Sequence, residues 1–582
     1  MNGSDGLFRL RRFLKDYRLQ LIIGPLCKLI EAVFELLIPL ITADIIDNGV
    51  KNSDLGYVLQ RGGLMVLLGA LGLGFALVCQ KSASIASQGF GTKVRNAMLR
   101  HINTLSHSDI DKLTTPSLIT RMTNDINQLQ LAVAMLIRLV IRAPFLVIGA
   151  LIMSAFIDLQ MAVIFFIASP LIALVLYIIM IRSVPFFKQI QSRLDGVSLI
   201  TRENLSGSRV VRAFSKQQED IARFDSKNEE LAHSAVTVGK RSSLLGPLTY
   251  VIAQCAIIAI VWFGAVNVDS GRLMTGEIIA LVNYMTQILL AMIVISNLVV
   301  IFTKAFASAA RVNEVFDTKP SVVEYTTEDI DTDENAPVIE FKNVHFGYGG
   351  GGMSLKNISF TIEKNQTVGI IGGTGSGKTT LINLIPRFYD VSEGEVFLRG
   401  RNVRDYSFSQ LRRNMGLVPQ EAVLFKGTIA DNLRWGLEHA DSKDMERALK
   451  ISQSYEFVQK LPDKTDTYIS QGGKNLSGGQ RQRLCIARAV IGSPDILILD
   501  DSASALDFAT DAALRQALEE YCTDTTVINV SQRVGTVRYC DKILVLDKGE
   551  LVGCGTHKEL LKSCSVYKEI CLSQLKDEEV NA

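Results

Sequence analysis

The first 300 residues contain six long apolar segments separated by polar stretches. A helix needs about 20 largely apolar residues to cross the hydrocarbon core of a bilayer. Segments of this kind run over residues 19–43, 62–80, 132–157, 159–181, 245–268 and 278–303. The segments 159–181, 245–268 and 278–303 contain no Asp, Glu, Lys or Arg. This pattern predicts a multi-pass α-helical membrane domain with six transmembrane helices.

Basic residues are concentrated on one side of these predicted spans. Five precede the first span, namely Arg9, Arg11, Arg12, Lys15 and Arg18, and six more lie between the second and third spans. The loop after the first span is acidic, and the turn between the third and fourth spans holds only Asp158. Because cytosolic loops carry the excess of Lys and Arg, we expect both termini to be cytosolic.

Two stretches between the spans, roughly 81–131 and 182–244, are unusually long. Leu, Ile, Val and Phe recur in them at intervals of three and four residues, which is typical of helices. Neither stretch has a strand pattern of its own. We therefore expect the spanning helices to extend well into the cytosol.

Five charged residues interrupt the apolar segments. Lys28, Glu31 and Glu35 share one face of the first span, and Arg138 and Arg142 share one face of the third. Charges within a membrane are costly, so these faces are candidates for the lining of a polar translocation cavity. The alternatives are pairing of Lys28 with Glu31 within the helix, and extension of the arginines to the inner interface. For the first span, cavity lining and pairing within the helix both remain open. For the two arginines, extension to the inner interface is favoured.

The pattern changes after the sixth span. Residues 317–337 are acidic and contain Pro and Thr, which predicts a solvated linker. From Val338 onward short apolar strands alternate with helical segments, which predicts an α/β domain over 338–582. The membrane domain is accordingly assigned to residues 1–316.

Composition agrees with this division and excludes some functions. A chain of 582 residues is too long for one core. A hydrophobic fraction of 48% and a mean hydropathy of +0.24 indicate membrane spans. The net charge of +2 gives no reason to expect nucleic acid as a partner. The nine cysteines are scattered, so we expect reduced thiols, and the six histidines form no metal-binding spacing.

A glycine-rich stretch predicts a nucleotide site. The apolar run 368–371 is followed by Gly372-x-x-x-x-Gly377-Lys378-Thr379 and then by a helical pattern. Strand, loop and helix in this order are the context of a phosphate-binding loop. Lys378 is expected to reach the β- and γ-phosphates, and Thr379 to bind Mg²⁺. Expected nucleotide contacts are Gly372, Gly373, Thr374, Gly375, Ser376, Gly377, Lys378, Thr379 and Thr380.

Motifs around this loop resemble those of the ATP-binding cassette (ABC) family. Leu476-Ser477-Gly478-Gly479-Gln480 resembles the family's signature, and the run 496–501 resembles a Walker B strand ending in Asp500 and Asp501. Tyr348 matches the adenine-stacking aromatic, Gln420 the Q-loop, and 504–507 the D-loop. The resemblance implies an α/β P-loop ABC ATPase domain that binds ATP and Mg²⁺. Tyr348 and the nine loop residues would bind ATP, and Thr379, Gln420 and Asp500 would hold Mg²⁺.

The resemblance also covers the membrane half. Residues 113–125 and 205–214 are similar to the family's two intracellular loops. Six spans followed by one cassette form the layout of an ABC exporter half-transporter. In this family two cassettes enclose two ATPs, each between one chain's Walker A loop and the other chain's signature. The resemblance thus implies a partner subunit, with Ser477, Gly478, Gly479 and Gln480 acting on its ATP. It also implies a bacterial cell membrane and export of an amphipathic substrate, as in multidrug export.

Two residues depart from the family pattern. The glutamate that follows the Walker B aspartate is replaced by Asp501, and the switch histidine by Gln532. Aspartate is shorter than glutamate by about 1.5 Å, and glutamine cannot carry a proton as histidine does. Both changes together resemble the degenerate-site subunit of heterodimeric ABC exporters. Two alternatives are a homodimeric exporter that uses Asp501 as a weak base, and an ATP-gated or ATP-sensing membrane subunit.

Overall fold

The structure is a computed structural model that describes residue 7 and residues 9–326, 328–349 and 352–574, with the backbone alone at 180, 182–188, 241, 242 and 245. The chain divides into two compact units. The first unit comprises Met1–Asn103 and Thr114–Thr318, and the second comprises Thr104–Leu113 and Lys319–Ala582.

Among the described residues of the first unit, all regular secondary structure is helical. Its α-helices are α1 (Arg18–Asp44), α2 (Leu55–Ile102), α4 (Thr115–Thr120), α5 (Ile126–Met135), α6 (Arg142–Ile157), α7 (Leu159–Ala213), α8 (Gln217–Ser242), α9 (Leu245–Asp269) and α10 (Thr275–Asp317), while α3 (His107–Leu113) belongs to the second unit. A 3₁₀ helix covers Arg11–Tyr17, and π-helical segments cover Ile45–Val50, Arg121–Asp125 and Leu136–Val140.

Five stretches of the described residues are long and apolar enough to cross a membrane. They are Leu55–Ile102, Thr115–Ile157, Leu159–Ile179, Gly246–Asp269 and Thr275–Asp317. The remaining predicted span, 19–43, lies within α1, which has 27 residues. This span contains Pro25, Pro39 and three charged side chains. Helix α2 has 48 residues and is therefore on the order of 70 Å long, more than twice the thickness of a hydrocarbon core. The predicted long helical extensions are confirmed.

The core of this unit is assembled from α1, α6, α7, α9 and α10. Leu36, Leu146, Phe165, Ile260 and Tyr284 are among its buried side chains. The Tyr284 hydroxyl donates a hydrogen bond of 2.6 Å to the carbonyl of Leu36. This bond satisfies the one polar group of a buried ring.

A buried carboxylate links the π-helical segment Arg121–Asp125 to α10. The Asp125 carboxylate is 1% exposed and accepts hydrogen bonds from Arg311 at 2.5 and 2.8 Å and from the Ser308 hydroxyl at 3.0 Å. Arg121 extends the network, because it donates to the Arg311 carbonyl and pairs with Glu314 at 2.9 Å. Most of the hydrogen-bonding capacity of Asp125 is therefore used within the unit.

Replacing Asp125 with alanine should destabilise the first unit. Arg311 and Ser308 would lose their shared acceptor, and we expect a loss of about 2–3 kcal/mol and a lower Tm in detergent. The matched control is Arg9→Ala, because Arg9 and Asp317 form an exposed pair at 2.7 Å. That change should cost less than about 1 kcal/mol. Equal shifts of Tm for the two variants would contradict this role of Asp125.

The second unit is built on a six-stranded sheet. Its strands, in spatial order, are β12 (Glu550–Gly555), β11 (Lys542–Asp547), β3 (Thr367–Gly372), β10 (Thr526–Ser531), β9 (Ile496–Asp500) and β6 (Met415–Val418). Neighbours from β11 to β6 are parallel, and β12 is antiparallel to β11. Every residue of β9 and β10 is buried, as expected of parallel strands covered on both faces.

Smaller sheets and helices complete the unit. Strands β1 (Ile339–Phe346), β2 (Leu355–Ile362), β4 (Glu393–Leu398) and β5 (Arg401–Asn402) form an antiparallel sheet, and β7 (Gly427–Thr428) pairs with β8 (Tyr468–Ile469). The helices are α11 (Lys378–Leu384), α12 (Phe408–Arg413), α13 (Ile429–Arg434), α14 (Ser442–Ile451), α15 (Tyr455–Gln459), α16 (Gly478–Val490), α17 (Phe508–Tyr521), α18 (Val534–Val537), α19 (His557–Ser563) and α20 (Ser565–Gln574).

The short helix α3 packs with elements of the second unit. The His107 ring lies 4.7 Å from the Phe388 ring, and the Tyr389 hydroxyl donates to Asp111 at 3.3 Å. Asp109 is buried and accepts from the backbone N–H of Ser321 at 2.9 Å. The two units therefore interleave along the chain at residues 104–113.

The stretch predicted as an acidic linker is largely exposed but hydrogen-bonded to the second unit. Ile330 exchanges two hydrogen bonds with the Gln410 side chain, at 2.7 and 3.0 Å. Glu324 accepts from the backbone N–H of Phe408 at 2.6 Å. These bonds hold Glu324 and Ile330 against α12.

Candidate functional site

The glycine-rich loop joins the end of β3 to the start of α11. Gly375 and Gly377 have φ values of 80° and 99°, which lie in the left-handed region. Side chains with a Cβ rarely adopt this conformation, so the turn requires glycine at these two positions. The structure thus has the order of strand, loop and helix that the sequence predicts.

Lys378 is held beneath the loop. Its ammonium donates to the carbonyls of Gly372 and Gly373, both at 2.8 Å, and the residue is 8% exposed. Burial lowers the pKa of Lys378, while Asp501 and Asp500 oppose that shift. Both carboxylates thus favour the charged form of the ammonium, which is the form that binds phosphate.

Oxygen ligands suited to Mg²⁺ converge beside Lys378. Strand β9 ends at Asp500, and parallel pairing through β10 brings that residue next to the loop after β3. The Thr379 hydroxyl donates to the two Asp500 oxygens at 3.1 and 3.3 Å. Burial raises the pKa of Asp500, whereas the Thr379 bond lowers it. A hydroxyl, a carboxylate and the Gln420 amide fit a hard cation that also binds phosphate oxygens and water.

These groups line one cavity of about 470 Å³. Its residues are Met353, Ser354, Thr374, Gly375, Ser376, Gly377, Lys378, Thr379, Thr380, Gln420, Asp500, Asp501, Gln532 and Lys548. The structure thus brings together the loop, the Q-loop glutamine, both Walker B carboxylates and Gln532. Gly372 and Gly373 contribute through the carbonyls that hold Lys378.

Sequence reasoning missed Met353, Ser354 and Lys548. Lys548 and Gly549 have φ values of 48° and 83° and form the turn between β11 and β12. The turn lies against the loop, because the Gly549 N–H donates to the Ser376 carbonyl at 3.2 Å. The Lys-Gly dipeptide between two apolar strands is a sequence signal from which this turn could have been predicted.

Tyr348 lies beside the loop without lining the cavity. Its hydroxyl is 3.2 Å from the Thr380 hydroxyl, and the Phe346 and Tyr389 rings meet it edge-on at 5.0 and 5.3 Å. The ring is 40% exposed. This orientation leaves aromatic surface available for a flat base.

Asp501 and Gln532 occupy the two positions that depart from the family pattern. Asp501 has a left-handed φ of 46°, and its N–H donates to the Val530 carbonyl at 2.9 Å. Burial raises the pKa of Asp501, while Lys378 and Arg533 lower it. Gln532 accepts from the Thr374 hydroxyl at 3.3 Å, and its carbonyl accepts from Gln574 at 2.7 Å. Both residues are therefore anchored by their neighbours.

The signature residues are not among those that line the cavity. Ser477 caps α16, and it exchanges hydrogen bonds with Gln480 at 2.9 and 3.3 Å. Ser477 and Gly478 are exposed. A Cβ at Gly478 would meet nothing within 4 Å, whereas one at Gly479 would lie 3.2 Å from the Ala505 carbonyl. The described contacts thus leave the face at Gly478 open.

The intramembrane charges are mostly paired. The Lys28 ammonium donates to both Glu31 oxygens at 2.7 Å, which is the alternative of pairing within the helix. Arg142 donates to Glu35 of α1 at 2.6 Å. This pair joins two helices, and the sequence named no partner for Arg142.

These features define a P-loop ATPase domain joined to a helical membrane domain. Comparison with protein families gives a narrower class: residues 21–292 match the ABC transporter transmembrane region, and residues 355–504 match the ABC transporter family. The chain belongs to the ABC transporter family. The predicted fold class is thereby confirmed, and the chain is a membrane protein.

Relatives cover nearly the whole chain. An uncharacterized ABC transporter ATP-binding protein of Mycobacterium tuberculosis (strain CDC 1551 / Oshkosh) is 35% identical over 569 residues, which is 97% of each protein. The uncharacterized ABC transporter ATP-binding protein YfiB of Bacillus subtilis is 36% identical over 563 residues, again 97% of each. An ATP-dependent lipid A-core flippase of Vibrio parahaemolyticus is 28% identical and covers 97% of this chain and 96% of its own.

The fold is also that of a solved exporter. A bacterial Atm1-family ABC exporter with ATP bound superposes with a TM-score of 0.77, at 22% identity, over 98% of this chain and 99% of the other. The chain thus has the exporter type of ABC fold, and ATP-driven transport by a membrane dimer is the activity of that class.

Proposed function

We propose that this chain is one subunit of a heterodimeric ABC exporter in a bacterial cell membrane. Its own site binds ATP and Mg²⁺ but hydrolyses ATP slowly, and its signature completes the competent site on the partner. The observation that carries this proposal is a cavity in which the phosphate- and Mg²⁺-binding groups converge while the two positions for chemistry hold Asp501 and Gln532.

The geometry at Asp501 supports slow hydrolysis. The N–H of Asp501 is bonded to the Val530 carbonyl and its φ is left-handed, so the backbone has a defined position at this residue. The aspartate carboxylate therefore ends about 1.5 Å short of where a glutamate would place it. A misplacement of about 1 Å can cost a hundredfold in rate.

The setting of Gln532 supports the same conclusion. Its amide oxygen accepts from Thr374 in the loop, which leaves the amide nitrogen as a donor for a phosphate oxygen. An amide can stabilise bound nucleotide in this way, but it does not exchange a proton near neutral pH as imidazole does. The site is suited to holding ATP.

The signature supports pairing with a partner. Ser477 and Gly478 are exposed and lie outside the cavity of their own chain. The Ser477 N–H is bonded to Gln480, so the groups that can face another ATP are the Ser477 hydroxyl and the Gly478 backbone N–H. Closure of two cassettes around ATP would open the membrane halves outward, provided that ATP binds the closed state more tightly. Alternating access then exports the substrate.

The substrate is proposed to be amphipathic, as a lipid or a drug-like compound would be. Relatives named ATP-dependent lipid A-core flippase, among them one from Syntrophus aciditrophicus at 32% identity over 502 residues, favour a lipid-like molecule. A homodimer that uses Asp501 as a weak base, or an ATP-gated subunit, would share the same ATP site.

The test is steady-state ATPase activity of this chain purified alone, with ATP binding measured separately. We expect ATP binding and a turnover below about 0.1 s⁻¹, against a typical enzyme value of about 10 s⁻¹. The control is Lys378→Ala, which removes the loop cation. Fast turnover that Lys378→Ala abolishes would establish a working homodimer and overturn the heterodimer proposal. Restored turnover on adding a second half-transporter would support it.

A further inference from the structure

The side-chain charges within the first and third predicted spans do not sum to zero. Lys28 pairs with Glu31 at 2.7 Å, and Arg142 pairs with Glu35 at 2.6 Å. Arg138 is the fifth charge. Across the described residues, its guanidinium makes no hydrogen bond or ion pair, and its Nε atom is buried. The five residues together therefore carry one uncompensated positive charge, on Arg138.

Arg138 is part of the packed structure. It lies in the middle of the π-helical segment Leu136–Val140, which contacts α1, α2 and α10. Segments of this kind frequently occur at functional sites. The residue is half-buried, and the flanking Ile137 is 1% exposed. A fixed position of this kind differs from that of an arginine that extends freely to the interface.

The neighbourhood of Arg138 is polar and incompletely satisfied. The Ile137 side chain beside Arg138 packs against Gly24 of α1, about one turn before Lys28. On the Glu35 side of α1, the Arg142 Nε and the Gln287 Oε1 atoms are buried without hydrogen-bond partners among the described residues. The Gln287 amide nitrogen donates to the Glu35 carbonyl at 3.3 Å. The surroundings of Glu35 and Arg142 thus contain an unused donor and an unused acceptor.

We propose that Arg138 binds the anionic headgroup, a phosphate or carboxylate, of the transported amphiphile. An unpaired charge within a membrane is costly, and an anion at this position removes that cost. A guanidinium binds either anion through two parallel N–H bonds. The apolar helices around the site suit acyl chains better than a soluble anion. The inference rests on the proposed function, because it names the chemical class of the exported substrate.

The experiment is native mass spectrometry of the detergent-purified chain, without ATP, titrated with dioleoyl phosphatidic acid or dioleoyl phosphatidylcholine. We expect wild type to favour phosphatidic acid, and Arg138→Gln to weaken its binding by about 10- to 100-fold. The matched control is Lys81→Gln, which removes one exposed positive charge just beyond the second predicted span. That change should alter binding by less than about twofold.

A second variant tests the charge balance in the opposite direction. Glu31→Gln releases Lys28 from its pair, so a second cation can meet the headgroup, and binding of phosphatidic acid should become about threefold to tenfold tighter. A loss of folding in Arg138→Gln would leave this result intact. Arg138→Lys, which keeps the charge without the planar fork, should lie between wild type and Arg138→Gln.

Three results would overturn the proposal. They are equal binding of the two lipids, equal effects of Arg138→Gln and Lys81→Gln, and displacement of phosphatidic acid by an equal concentration of inorganic phosphate. Because binding is measured without ATP, the outcome is separate from the ATPase test. Fast turnover of the chain alone would end the heterodimer proposal and leave the headgroup result standing.

Discussion

Replacing Gly478 with aspartate should abolish ATP turnover of the assembled dimer while this chain stays folded. A Cβ at this position meets nothing within 4 Å, so the change leaves the chain's own packing intact. In the proposed arrangement Gly478 faces the γ-phosphate of ATP on the partner. A carboxylate there repels the phosphate and displaces it from the Gly478 backbone N–H, and we expect a loss of at least about 100-fold. The measurement is ATPase activity of the co-purified dimer.

The matched variant is Asp501→Asn in the same dimer. In the proposed arrangement little chemistry depends on Asp501, so at least about half of the turnover should remain. Displacement of a working catalytic base, by contrast, can lower the rate about a hundredfold. ATP binding to both variants should be retained. Equal and complete loss of turnover in both would contradict the asymmetric assignment.

The combined change Asp501→Glu and Gln532→His should raise the turnover of this chain purified alone. The glutamate extends the carboxylate by about 1.5 Å toward the cavity, and the histidine supplies a group that can move a proton. We expect an increase of about 10- to 100-fold. The Thr374 hydroxyl, 3.3 Å from the present Gln532 oxygen, is placed to orient the imidazole.

The control for this gain is Lys378→Ala added to the double variant, which should return turnover to the background. Each single change alone should give a smaller gain, because base and proton carrier act on the same water. If the double variant binds ATP as wild type does and is no faster, Asp501 and Gln532 are not the cause of slow hydrolysis.

The fold class was predictable because its signals are local. A run of about 20 apolar residues and a glycine spacing after a short strand each lie within one stretch of chain. The P-loop, Asp500 and Gln420 were named from such stretches, and the structure gathers them in one cavity. Lys548 was missed because it reaches the cavity through a turn about 170 residues downstream of the loop.

Ion pairs between residues far apart in the chain could not be predicted from the sequence either. The pair Lys28 and Glu31, three residues apart, was foreseen as an alternative from helical periodicity. The pair Glu35 and Arg142 joins positions 107 residues apart and depends on how two helices face each other. The same limit applies to Asp125 and Arg311, because periodicity defines a helix face without naming its neighbour.

The position of α3 has a consequence for biosynthesis. Residues 104–113 leave the ribosome about 200 residues before the elements that they pack against, a delay of roughly 10–40 s at usual elongation rates. Until residues from 319 onward are made, the Asp109 carboxylate lacks the Ser321 backbone N–H that donates to it in the folded chain. A cassette expressed from residue 319 alone would, in turn, leave Phe388 and Tyr389 without His107. We therefore expect such a fragment to be less soluble than one supplied with a synthetic peptide of residues 104–113.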